Sequence, residues 1–273
     1  MGEKLLEVKD LRVSYYTYAG EVQSVRGISF DVEKGETVAI VGESGCGKSV
    51  TAKSIMRLIA NPGKIKEGSS ITLDGRDVLA MSGKELRSYR GDDCAMIFQD
   101  ALTSLDPTMR VGKQIAEVLT IHGKASKKEA AAKAIELLRQ VGIPNPERRA
   151  REYPHQFSGG MRQRAMIAIA LACGPKLLIA DEPTTALDVT IQAQIIDLMK
   201  QMQQELNAAI LLITHDLGVV ADIARRICVM YSGKIVERGS AEDIFYRPRH
   251  LHVGPAVRRA PDGSGEQAAA GHH

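Results

Sequence analysis

Two acidic residues stand side by side in KLLIADEPTTALDV, residues 176–189, where an apolar run ends. Asp181 closes the run, Glu182 follows it, and a third carboxylate, Asp188, comes shortly after. Such groups are ordinary solvated charges unless the chain gives them a phosphate, a cation or a water to handle. GESGCGKS, residues 42–49, supplies the phosphate: it fits G-x-x-x-x-G-K-[ST], with an apolar strand-like run before it and a helix-like run after it. Gly42, Gly45 and Gly47 let the backbone wrap phosphate oxygens that a Cβ would obstruct, and the helix start attracts the anion. Lys48 is placed to reach the outer phosphates, and the Ser49 hydroxyl to ligate Mg²⁺. Ser44, Cys46 and Val50 complete the segment expected to bind the nucleotide. In such a fold the carboxylate of Asp181 can hold Mg²⁺, directly or through water, while Glu182, one residue further out, can polarise an attacking water.

The elements that position these residues are legible from pattern. The opening segment, to Gly42, reads as several strands broken at Gly20 and at Lys34-Gly35, and TVAIV has the apolar character of a strand buried on both faces. A helix is expected from about Lys48, a strand pair around ITLDG and a strand at CAMIFQ. From Val111 the period becomes helical. In SKKEAAAKAIELLRQVGI, the residues Ala131, Ile135, Leu138 and Val141 are predicted to share a buried face. This predicts a helical subdomain inserted at about 111–172. KLLIAD, AAILLIT and RRICVMY then read as strands, with a helix between the first two, which argues for a mainly parallel α/β sheet.

Composition bounds the function classes. The 273-residue chain is 44% hydrophobic with a net charge of +3, too mild to argue for nucleic acid. No apolar run approaches the roughly 20 residues that span a bilayer, and MGEKLLEVKD carries no apolar signal region, so a cytoplasmic site is expected. Cys46, Cys94, Cys173 and Cys228 are scattered without a C-x-x-C pair, so no cysteine-based metal or disulfide framework is expected. The segment 251–273 is small, polar and rich in Gly and Ala, and reads as a disordered or truncated tail.

Two further segments carry a resemblance. FSGGMRQR, residues 157–164, resembles the signature loop of ATP-binding cassette (ABC) ATPases, and LLITHD resembles their switch-histidine segment. With IFQD and TALD, the likeness covers about Leu6 to Pro248, and the flanking wording is similar to ATPase subunits of dipeptide, oligopeptide and nickel importers. The resemblance implies a P-loop core with a small N-terminal antiparallel β-subdomain and the helical insert, within an ATPase domain over 1–250. It implies ATP and Mg²⁺, with Gln99 sensing the metal and the water, His215 contacting the γ-phosphate and orienting Glu182, and Asp188 lying across a dimer interface. Ser158, Gly159 and Gly160 would cap the γ-phosphate of a second cassette in a head-to-tail pair. On the residues alone they are also an ordinary serine-capped helix start. Tyr15 falls where the family stacks an aromatic on adenine, though Tyr15, Tyr16 or Tyr18 could equally pack beneath the small sheet. The implied partners are transmembrane permease subunits, a second ATPase subunit (the same chain or a similar one) and, indirectly, an extracytoplasmic binding protein, all at the cytoplasmic face of the membrane. Two departures stand out: Ala101 replaces a usual proline, and the chain diverges after His250 with no cysteine cluster.

Overall fold

The computed structural model describes residues 2–100, 104–185 and 187–247. Ala101 and the 251–273 tail lie outside them.

The chain opens on a long hairpin. β1 (Lys4–Thr17) pairs antiparallel with β2 (Gly20–Glu33), with several register shifts along the ladder. β3 (Thr37–Val41) follows and is buried throughout. β4 (Gly63–Ile65) and β5 (Ser70–Leu73) both add to β1, and β6 (Arg76–Asp77) pairs with β5. The second sheet contains β7 (Cys94–Ile97), β8 (Leu177–Asp181), β9 (Ala209–Thr214), β10 (Arg226–Tyr231) and β11 (Lys234–Ser240), in the order β11-β10-β3-β9-β8-β7. Its ladders from β10 through β3, β9 and β8 to β7 are parallel, and β11 runs antiparallel at one edge.

Burial on both faces explains the apolar runs. Val38 and Ile40 of β3 pack with Leu6, Val8 and Phe30 of the hairpin, whereas Ala39 and Val41 pack into a second core with Ile195, Met199 and Ile167. Successive side chains thus serve opposite cores, and polar alternation would have left charges in one of them.

Between β7 and β8 stand the helices Val111–Ile121, Lys127–Gln140, Pro146–Arg149 and Gly159–Leu171. The second begins with a reciprocal cap: Ser126 accepts from the Glu129 amide and Glu129 from that of Ser126. Its buried face is corrected by the structure. Ala130, Ala134 and Leu138 are buried, with Val141 just beyond, whereas Ala131 is exposed and Ile135 half-buried. Ala131 and Ile135 line an open groove of about 740 Å³ in the insertion, with Ala116 and Ile121. An apolar periodicity does not say which of two adjacent stripes meets the core.

Parallel order has one consequence for chemistry. Registers Val41↔Thr214, Asp181↔Ile213 and Ile97↔Ala180 align the carboxyl ends of β3, β9, β8 and β7. Whatever follows those strands is delivered to one crevice.

Candidate functional site

β3 leads into the glycine-rich loop, which threads between β2 and β10. At Gly42, φ is 157° and a Cβ would lie 2.2 Å from the Met230 carbonyl oxygen; at Gly47, φ is 104° and it would lie 2.4 Å from that of Ser24. Neither position has room for a side chain. The helix Lys48–Ile55 starts at Gly47 with no side-chain cap, leaving its first amides for a ligand. Lys48 is folded back, its Nζ donating to the carbonyls of Gly42 (2.7 Å) and Glu43 (2.9 Å). Two carbonyls thus hold an ammonium that an anion in the loop would draw away.

The strand ends bring the carboxylates to this loop. Asp181 is only 3% exposed and its Oδ1 accepts from the Ser49 hydroxyl at 2.9 Å. Burial pushes its carboxyl above the usual range and Glu182 adds to this, while the Ser49 hydrogen bond opposes it. Glu182 adopts the left-handed backbone, φ 48°, and its amide donates to the Ile213 carbonyl at 2.8 Å. Its Oε2 accepts from Gln99 Nε2 and from Thr185 Oγ1, both at 3.0 Å, and its Oε1 lies 3.4 Å from His215 Nδ1. The residue after His215 is anchored. Asp216 donates its amide to Thr214 Oγ1, caps the Leu217–Ile223 helix and accepts from Gln192 Nε2 at 2.7 Å.

A cavity of about 410 Å³ joins the glycine-rich loop to the strand ends. Ser44, Gly45, Gly47, Lys48, Ser49 and Val50 line it from the loop, Gln99, Glu182 and His215 from the strand ends, and Ser24 and Glu43 beside them. Five separate sequence segments are thus assembled around one space. Gly42, Cys46 and Asp181 do not line it, although Asp181 touches it through Ser49. Gly42 holds the turn, and Cys46 is buried, with Lys48 Nζ 4.0 Å from its sulfur. Thr185 escaped the sequence reading; its only signal was a hydroxyl shortly after the acidic pair, which acquires meaning once the loop folds back on Glu182.

Other expected residues lie away from that cavity. Ser158 is exposed and caps the Gly159–Leu171 helix, its Oγ accepting from Met161 N at 3.3 Å. Gly160 faces Ile191, which a Cβ would approach to 3.0 Å. Asp188, also exposed, caps the Val189–Leu206 helix through a 2.9 Å bond from Ile191 N. Tyr15 is half-buried in β1 with its ring close to Gly63, and it does not line the cavity; Tyr16 and Tyr18 are exposed.

Comparison with known proteins shows the family. Residues 25–185 match the family model described as ABC transporter. The chain is 58% identical over 267 residues to the oligopeptide transport ATP-binding protein OppD of Bacillus subtilis, covering 97% of this chain and 74% of that protein. It is 58% identical over 252 residues to the dipeptide transport ATP-binding protein DppD of Lactococcus lactis, covering 92% and 72%. Among solved structures, the dimeric post-hydrolysis state of the ATP-binding cassette MJ0796 with ADP and Pi superposes with a TM-score of 0.77 at 27% identity, covering 87% of this chain and 99% of that one. No helix of the described residues is long and apolar enough to cross a membrane. The chain therefore belongs to the ABC transporter family, as an ATP-hydrolysing subunit that energises transport.

Proposed function

We propose that this subunit drives the import of peptides, working as one half of a head-to-tail pair on the cytoplasmic face of the membrane. The relatives described as oligopeptide and dipeptide transport proteins support the cargo class. Permease subunits, a second ATPase subunit and an extracytoplasmic binding protein are the partners this reading assigns.

One observation carries the pairing: the Ser158 turn is exposed and lies outside the cavity lined by the glycine-rich loop, Gln99, Glu182 and His215. A second copy, or a similar chain, is the source of the missing serine-glycine turn, and each ATP is then covered by two polypeptides. Within one chain, Lys48 and the loop amides bind the outer phosphates, and Glu182 takes the attacking water's proton. Gln99, Thr185 and His215 hold that carboxylate in line, and their value lies in positioning rather than covalent chemistry. The oxygen donors of Ser49, Asp181 and Gln99 suit Mg²⁺, which would neutralise phosphate charge there. Tyr15 is assigned to the adenine edge, and Asp188 to the opposite subunit.

Size measurement of the Glu182→Gln chain with ATP and magnesium tests this. The expected result is a stable dimer whose turnover falls by about 10²-fold or more, and a monomer again once Ser158→Arg is added. A nucleotide-bound monomer, or a dimer indifferent to Ser158→Arg, would overturn the pairing.

A further inference from the structure

Asp92, His122 and Cys173 are far apart in sequence and meet at one point. Asp92 lies in the wide turn Tyr89–Asp93 that enters β7, His122 directly follows the Val111–Ile121 helix, and Cys173 lies just past the Gly159–Leu171 helix. One carboxylate oxygen, one imidazole nitrogen and the thiol sulfur all lie within 4.8 Å of one another. His122 Nδ1 is 3.5 Å from Asp92 Oδ1, and the imidazole is only 11% exposed. Gly91 presses on the ring's other edge: at φ 124°, a Cβ there would lie 2.5 Å from Cε1 and 2.6 Å from Nε2 of His122. The close approach keeps Nδ1 turned toward the carboxylate. Asp92 Oδ2 accepts from Ser88 Oγ at 2.9 Å, whereas Oδ1 is buried and accepts no hydrogen bond of good geometry. Its ion-pair partner is the Lys124 ammonium at 3.1 Å.

We propose that Asp92, His122 and Cys173 hold one divalent transition-metal ion of the zinc type, with water in the fourth position. The donor set decides the class. Oxygen, nitrogen and sulfur together suit zinc, whereas Mg²⁺ and Ca²⁺ take oxygen ligands. Zinc bonds of about 2.0–2.3 Å set tetrahedral ligand atoms roughly 3.3–3.7 Å apart, so the present spacing closes by about 1 Å of side-chain movement. On binding, the Cys173 thiol releases its proton to solvent. Lys124, 40% exposed, swings outward as the ion takes over its partner. The ion fastens two helices of the insertion to the turn that leads through β7 to Gln99. The inference rests on this cluster and is independent of the peptide reading.

The experiment uses the full chain stripped with a chelator, titrated with Zn²⁺ against a chromophoric competitor and with Co²⁺ followed optically. One ion is expected to bind with micromolar or tighter Kd, and the Co²⁺ form to show a thiolate-to-cobalt charge-transfer band. Cys173→Ser should abolish the band, His122→Ala should weaken binding by at least about tenfold, and Cys46→Ser should keep the band. Lys124→Ala removes a competing cation and no ligand, so it should bind Zn²⁺ several-fold tighter, a gain that a misfolded chain would not show. Absence of binding at millimolar Zn²⁺, affinity unchanged in Cys173→Ser and His122→Ala, loss of the band in Cys46→Ser, or no tightening in Lys124→Ala would each overturn the site.

Discussion

At the scale of single residues, the adjacent acids behave differently because their surroundings differ. Glu182 stands at the strand's exit with three polar partners, whereas Asp181 is buried with one hydroxyl. Burial holds Asp181 above its unfolded value of about 3.9, so the protonated form is the one the fold favours. Its contribution to stability is complete below the unfolded value and is lost as pH rises through the folded one. Asp181→Asn keeps an acceptor for Ser49 and removes the buried charge. In chelator-treated, nucleotide-free protein it should therefore raise stability near neutral pH, on the order of 1 kcal/mol, with the gain shrinking toward pH 4. Thermal unfolding at both pH values measures this, and a variant less stable than the parent at neutral pH would contradict it. The same change should weaken magnesium-dependent ATP binding.

At the scale of elements, the glycine-rich loop works because its neighbours leave it no thickness. Gly47 combines a left-handed φ with a carbonyl oxygen 2.4 Å from where a Cβ would stand. Gly47→Ala should therefore cost about 2 kcal/mol or more, and it should abolish ATP binding even where the fold survives. Denaturant unfolding and nucleotide titration check both halves, and an alanine variant with parental affinity would refute the close-approach argument. The helix after the loop is shorter than its helix-forming sequence. It ends at Ile55, and Arg57 turns left-handed, with Arg57 Nη1 donating to the Met81 carbonyl at 2.6 Å. Local propensity located that helix's start, and a tertiary hydrogen bond accompanies its stop.

At the scale of the whole molecule, one ion-pair cluster locks the two sheets together. Arg226 of β10 donates through Nε and Nη2 to the two carboxylate oxygens of Glu36, both at 2.6 Å, and through Nη2 to Asp31 of β2 at 3.1 Å. The Glu36 side chain is 2% exposed. Arg226→Met would strand that charge, so a loss of about 3 kcal/mol is expected in denaturant unfolding. A loss below about 0.5 kcal/mol would mean that water reaches Glu36. The cluster joins residues nearly two hundred positions apart, and no spacing rule would have paired them.

The sequence alone determined the chemistry and its order along the chain. Phosphate recognition needs glycines, a lysine and a hydroxyl at fixed separations, and buried parallel strands need unbroken apolar runs, so both are written locally. It also named Glu182, Gln99 and His215 as candidates, but their meeting in one space came only from the family resemblance and not from their spacing. Only the tertiary structure supplied the physical reason, because the parallel register aligns four strand ends into one crevice. It likewise drew Thr185 onto Glu182, kept Cys46 and Tyr15 out of the cavity wall, moved the buried stripe of the Lys127–Gln140 helix and brought Cys173 to Asp92 and His122. Each of these depends on packing between distant segments, and a linear pattern carries the period of an element but not the direction from which its neighbour arrives.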